Sequence, residues 1–277
     1  MPETPAKDKL DVWPALPLLV RGNMASSSGM DNIIAALEQS NRVFQIALII
    51  TGDGRLEKVR AAMEVSFPEL TYLHIISDDE TFPVNPNSFL GGSAPSLRSF
   101  RFDGIPFPGL PKLLRSATHL VQLWLTNIPH SGYISPEAIV TLLSALSSLL
   151  ILSLEFESPQ SRPDWQSRSL PPLKRSILPT LKEFRFKGVT EYLEEFVSRI
   201  DTPQLDQMHI TFFNQIDFDC PWLAQFIDCT PTLRALDEAR VQFFDSAARV
   251  NLRYRTSQSG LDGLEIAISC GEPDWQL

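Results

Sequence analysis

Four histidines, His74, His119, His130 and His209, and three cysteines, Cys220, Cys229 and Cys270, are the residues of this 277-residue chain best suited to metal or nucleophile chemistry. A zinc site needs donors at short fixed intervals, such as His-x-x-x-His or Cys-x-x-Cys, so that one turn presents both. Neither spacing occurs. No serine sits in Gly-x-Ser-x-Gly, the strained elbow that exposes a hydrolase nucleophile. Thr51-Gly52-Asp53-Gly54 resembles part of a phosphate-binding turn but lacks the P-loop spacing and its Lys-Ser/Thr ending, so it reads as a strand-to-helix turn. Asp78-Asp79-Glu80 lacks the alternating ligands and closing glutamate of a calcium loop and reads as a solvated turn. Asp217 and Asp219, just before Pro221, read as helix-start acids, and Cys220 and Cys229, flanking an apolar segment, as small core residues. These readings point to a protein that is not an enzyme and needs no cofactor. An enzyme with an unrecognised site on its loops is the remotest alternative.

Bulk properties narrow the class further. A formal charge of −9 opposes binding to phosphate backbones, whose affinity comes from clustered Lys and Arg. Nucleic acid is therefore excluded as an expected partner. Residues Met1 to Lys9 are polar and read as a disordered tail, and the apolar run Val12 to Val20 is short and interrupted by Pro14 and Pro17. Neither a signal peptide nor a membrane span is expected. With no Asn-x-Ser/Thr acceptor and no disulfide framework, a cytoplasmic or nuclear location is expected.

What must position any site is a repeat. An apolar triplet, Φ-x-x-Φ-x-Φ, returns at Val43/Ile46/Leu48, Leu70/Leu73/Ile75, Leu97/Phe100/Phe102, Leu120/Leu123/Leu125, Leu149/Leu152/Leu154, Leu181/Phe184/Phe186, Leu205/Met208/Ile210 and Leu261/Leu264/Ile266. Leu233/Leu236 begins another, broken by Glu238. First positions are separated by 27, 27, 23, 29, 32, 24, 28 and 28 residues, close to the leucine-rich-repeat period. Pro68, Pro95, Pro179, Pro203 and Pro231 each stand two residues before a triplet, where proline ends a helix and favours an extended lead-in to a strand.

Helical patterns lie between the triplets, at Asp31 to Gln39, Leu56 to Val65, Ser135 to Leu146, Thr190 to Ile200 and Pro221 to Ile227. Ser135-Pro136 supplies an N-cap with proline at N1. Parallel strands joined by helices must stack to bury their apolar faces. The expected fold is α/β: one right-handed leucine-rich-repeat-like solenoid over residues 10–277, with about nine irregular repeats, a curved parallel sheet on one face and helices on the other. Its C-terminal end is expected to be truncated, since little follows the last strand.

In such a strand the residues between the apolar ones point outward. The central outward column is then His74, Arg101, Trp124, Ser153, Arg185, His209, Asp237 and Glu265. Tyr72, Ser99, Gln122, Ile151, Glu183 and Gln207 flank it on one side; Ile76, Asp103, Thr126, Glu155, Lys187 and Thr211 flank it on the other. Trp, Tyr and Arg are the types that dominate protein interfaces. Tyr72, His74, Arg101, Trp124, Glu155, Arg185, Lys187 and His209 are thus the candidate partner-binding residues, for a protein or peptide laid on the sheet face. The insertion between Glu157 and Leu178, carrying Arg162, Trp165, Arg168, Lys174 and Arg175, is a second candidate, as a basic loop for an acidic segment.

The opening Leu10-Asp11-Val12-Trp13-Pro14-Ala15-Leu16-Pro17, with the recurring Pro-x-Leu-x-x-Phe/Leu-x-Phe/Leu units, resembles the leucine-rich regions of F-box-like proteins of mushroom-forming fungi. The resemblance covers nearly the whole chain. It implies the substrate-recognition region of a ubiquitin-ligase adaptor, with the cullin-ligase linker subunit a partner only if an F-box precedes this region in the full protein; the F-box itself is not evident here. A structural or sensor repeat region of a larger regulatory protein is the alternative.

Overall fold

The computed structural model describes residues 16–24, 27–52, 54–77, 88–106, 110–159, 175–213, 220–245, 247–255 and 263–269. Residues 1–15 with the Trp13-Pro14 opening, Asp53, the acidic turn at 78–80, residues 160–174 of the insertion, Asp217, Asp219, Leu261 and Cys270 lie outside the described residues. The protein is mixed α/β, with mostly parallel strands and intervening helices. It divides into two compact units, Met1–Trp124 and Leu125–Leu277.

In the first unit, β1 (Leu18–Met24), β2 (Val43–Ile50), β3 (Tyr72–Ser77) and β4 (Ser99–Asp103) pair in parallel in that order. Between them run α1 (Ser27–Leu37), α2 (Arg55–Ala62) and a 3₁₀ turn at Phe89–Gly92, followed by α3 (Leu110–Leu114). The triplet explains the stacking. Ile46, Leu73 and Phe100 fall in one register row and Leu48, Ile75 and Phe102 in the next, all at most 2% exposed. β1 was not anticipated by the repeat: it buries only Val20 and Met24, four residues apart, with Gly22 against Ile33. Gly104 has φ +71° and lies so close to the Ser77 carbonyl that a Cβ would collide with backbone.

The division falls within β5 (Gln122–Ile128). In the second unit the order is β6 (Ile151–Phe156), β8 (Glu183–Gly188), β10 (Gln207–Phe212), β13 (Gly263–Ser269), β12 (Ala247–Arg253) and β11 (Glu238–Phe244). The first four are parallel; β12 runs antiparallel to β13, and β11 antiparallel to β12. Short strands β7 (Ser176–Ile177) and β9 (Ile200–Asp201) pair separately. The helices are α4 (Pro136–Leu143), α5 (Thr190–Val197), α6 (Pro221–Cys229) and α7 (Pro231–Arg234). Tyr133, Phe156, Phe184, Phe186, Tyr192 and Phe196 form an aromatic cluster with centroids 4.7 to 6.4 Å apart, and Tyr192 Oη donates to Ile134 O at 2.9 Å.

The prolines act through a turn rather than by helix arrest alone. Pro68, Pro95, Pro179 and Pro203 occupy the second position of turns in which Leu70, Leu97, Leu181 and Leu205 N donate to the carbonyl three residues back, at 3.2 to 3.4 Å. Pro231 instead starts α7. After each turn the chain is bonded to the neighbouring unit in a recurring way. Arg98 and Ser99 N donate to Thr71 O, Lys182 and Glu183 N to Leu150 O, and Asp206 and Gln207 N to Lys182 O. Thr180 Oγ1 adds bonds to Ser147 O and Leu149 O, both 2.9 Å.

The starts at Pro136, Thr190 and Pro221 are placed as the sequence reads, with Ser135 Oγ accepting from Ala138 N at 3.2 Å, and the first helix begins at Ser27, four residues before the expected Asp31. Four helices end two or three residues earlier than the apolar periodicity predicts, as where Ser144 to Leu146 turn toward the next strand, whereas α6 runs two residues past the expected Ile227 to Cys229. The unit expected after Leu233 is not a strand-and-helix repeat. Glu238, in the position of the missing third apolar residue, opens the β11-β12 hairpin, which replaces the helical connection into β13.

Candidate functional site

In the first unit the parallel register sets His74 beside Arg101, with Ala47 on the other side of His74. Arg101 Cζ stands 5.5 Å from the centre of the Trp124 ring, a cation-π contact, and Arg101 Nη2 lies 3.9 Å from Asp103 Oδ2. Tyr72 Oη is 3.4 Å from His74 Nδ1, and the two rings meet edge to face. Four of the predicted residues, Tyr72, His74, Arg101 and Trp124, therefore form one half-exposed cluster. Two nitrogens in it, His74 Nε2 and Arg101 Nε, are buried without a hydrogen-bond partner in the protein. Burial and the Arg101 charge hold the His74 pKa below the usual imidazole value, with Asp103 opposing. The ring is thus neutral at pH 7.

In the second unit the register pairs Arg185 with Ser153 and with His209, and Lys187 with Glu155. Here the charges satisfy one another. Arg185 Nε donates to Glu183 Oε1 at 2.5 Å, Ser153 Oγ donates to Glu155 Oε1 at 2.7 Å, and Lys187 Nζ lies 5.6 Å from the Phe213 ring. His209 is also held below its usual pKa by burial and by Arg185, against Glu265 and Glu183.

Two residues of the outward columns are covered and one lies off them. Ser153 is fully buried beneath its bond to Glu155, and Thr126 is 7% exposed; small polar side chains on a sheet are easily covered by longer neighbours. Asp237 precedes β11 rather than lying on a column strand, and its Oδ1 accepts from Arg255 N at 2.7 Å. The cysteine reading fails as well. Cys229 is exposed at the end of α6 and Cys220 is half-buried at its start, because the apolar face of that helix is carried by Leu223 and Phe226. The carboxylate that serves the start of α6 comes from α5: Glu194 accepts from Trp222 N at 3.0 Å and from Leu223 N at 2.8 Å.

Sequence reasoning missed the outward face of the hairpin. His209, Glu265, Asn251 and Arg240 continue one register row across β10, β13, β12 and β11. A cavity of about 300 Å³ opens there, lined by these residues with Arg249 and Arg253 among others. Arg249 bridges to Glu265 at 3.2 Å, and Arg253 and Arg240 share Glu238 at 2.9 and 3.7 Å. The strict alternation Arg240-Val241-Gln242-Phe243 and Arg249-Val250-Asn251-Leu252-Arg253 was the available signal for a half-buried hairpin.

Among the described residues no group of three or more His, Cys, Asp or Glu could hold a metal ion, and no helix is long and apolar enough to cross a membrane. No protein-family model, no curated protein and no solved structure matches the chain.

Proposed function

We propose that this chain is a protein-interaction module built on a leucine-rich-repeat-like solenoid, the substrate-recognition region of an F-box-like ubiquitin-ligase adaptor, and that a peptide segment of its partner lies on the Tyr72/His74/Arg101/Trp124 cluster. The observation that carries the binding reading is the half-exposed cluster itself, Arg101 over the Trp124 ring with His74 beside it in register, in which His74 Nε2 and Arg101 Nε are buried without a hydrogen-bond partner in the protein. An unpaired buried polar group costs about 1–3 kcal/mol, which a ligand acceptor recovers. Arg101 Nε, a donor, fits a carbonyl or carboxylate of the partner. Trp124 adds a rigid apolar surface of the kind that anchors interfaces.

Support for the solenoid comes from the repeated turn at Leu70, Leu97, Leu181 and Leu205 and from the carbonyl shared by two successive N–H groups after the last three. The adaptor reading rests on the sequence resemblance. It is tested by the full open reading frame and by co-purification of the full protein with the linker subunit of a cullin ligase. An F-box upstream and stable co-purification are expected. A nucleotide-binding switch domain in that place, with no linker subunit retained, overturns the adaptor reading in favour of a sensor repeat.

A further inference from the structure

Strand β11 ends the strand order of its unit and pairs only with β12 among the described strands, so the backbone groups of its other side are presented outward. Natural proteins guard such an edge with charged side chains, above all lysine, with proline, bulges or shortness, or by covering it, and the charges of β11, Glu238 and Arg240, stand in its N-terminal half. Strand β11 has seven residues, none of them lysine or proline, and pairs with β12 in unbroken register. On one face Val241 is 55% exposed and Phe243 83%, while on the other Phe244, 52% exposed, has Arg249 Cζ 5.5 Å from its ring centre.

The exposure follows a gradient across three register rows. Ala239 aligns with Leu252 and Leu264, Val241 with Val250 and Ile266, and Phe243 with Ala248 and Ile268. On β13 Leu264 is 2% exposed, on β12 the row is half-buried, and on β11 it is open. The side of the sheet that is core at β10, where Met208, Ile210 and Phe212 are at most 1% exposed, thus runs out uncovered at the hairpin.

We infer that β11 is a homodimer edge, at which two copies of this chain pair antiparallel through Glu238–Phe244 about a two-fold axis at Val241. Val241 is the middle residue of β11, so this axis alone overlaps all seven residues. It sets Val241 against Val241, Ala239 against Phe243 and Arg240 against Gln242 of the other copy. Small meets large on the apolar side, and the polar side brings no like charges directly opposite. An axis one side-chain pair away, at Ala239 or Phe243, shortens the overlap, while one at Arg240 opposes two guanidinium groups. A two-fold contact of this kind closes on itself and removes both edges together.

Sedimentation equilibrium of the full chain over a rising concentration series tests the inference. A mass of twice 31.1 kDa is expected for the wild type, and a single-chain mass for Val241→Lys, which sets two ammonium groups on the axis. Because Val241 is more than half exposed, Val241→Lys should keep its circular dichroism spectrum and melting temperature. Phe243→Ser, which leaves the axis uncharged, should raise the dimer dissociation constant at least tenfold. A wild-type monomer throughout the series, open-ended association rather than a dimer, or a dimer that persists in Val241→Lys each overturns the inference.

Discussion

The outward columns of the two units share a strand pattern and differ in how closely their central arginines are paired. On the first, Arg101 stacks on Trp124 and stands beside His74, and a nitrogen of each lacks a partner. On the second, Arg185 is bound by Glu183 and Glu155 by Ser153, while on its hairpin Arg249 and Arg253 form ion pairs with Glu265 and Glu238 yet have Nε atoms that are buried without a hydrogen-bond partner. A face whose charges neutralise each other has little to gain from a ligand, since exposed ion pairs contribute only about 0–1 kcal/mol and are already formed. A face with buried, unmet donors gains more. The Arg101 and Arg185 neighbourhoods are therefore separated by how closely their charges pair, at 3.9 Å to Asp103 and 2.5 Å to Glu183, whereas buried donors without partners occur on both units.

The cores differ in the same direction. The second unit is organised around the Tyr133/Phe156/Phe186/Tyr192 cluster, whereas Phe100 and Phe102 of the first meet at 4.5 Å with Phe89 the neighbour of Phe102. Phe186→Ala should accordingly cost about 3–5 kcal/mol in chemical denaturation, the range for deleting a buried phenylalanine. Ligand binding by the first unit should survive wherever the protein is still folded. Equal loss of binding and stability would erase the distinction between the faces.

Next in size is Glu194→Ala. It strips both N–H bonds from the start of α6 and should lower stability by about 1–2 kcal/mol. Glu194→Gln, which retains an acceptor oxygen, should recover part of that loss in the same melt. If Glu194→Ala is neutral, solvent serves the helix start and the link between α5 and α6 is weaker than drawn.

The smallest effect is that of pH, and it involves one histidine on each face. His74 and His209 both have folded-state pKa values below the unfolded value of about 6.5, so the unfolded chain binds more protons below that pH. Stability from these groups is full above about pH 6.5 and falls as pH drops beneath it. His74→Gln should flatten this fall in melts between pH 5 and 7. No change in slope would remove the electrostatic link between His74 and Arg101.

Much of the strand framework was legible because a triplet recurring near every 27 residues is a packing requirement: Ile46, Leu73 and Phe100 must meet in register for either neighbour to be buried. Strand β1 and the hairpin were not legible. The core face of β1 has Gly22 between Val20 and Met24, so it lacks the middle apolar residue by which the triplet is recognised, and β11 carries apolar residues that are exposed. The cluster at Arg101 and Trp124 was read correctly as an outward neighbourhood, since the side-chain period of a strand is two. That Arg185 meets Glu183 at 2.5 Å while Arg101 comes only within 3.9 Å of Asp103, each carboxylate two residues away on its own strand, depends on rotamers, which spacing does not encode. Ser153 and Thr126 were misplaced because facing outward from a sheet does not ensure exposure.

The central claim is tested most directly by titrating the wild-type protein and the Arg101→Ala/Trp124→Ala double variant with a peptide selected on the wild type from a random library. Arg185→Ala serves as the control from the second face. The account predicts an affinity at least tenfold weaker for the double variant, about 1.4 kcal/mol or more, with an unchanged spectrum and with Arg185→Ala binding like the wild type. Equal affinity for wild type and double variant, or loss confined to Arg185→Ala, would contradict it.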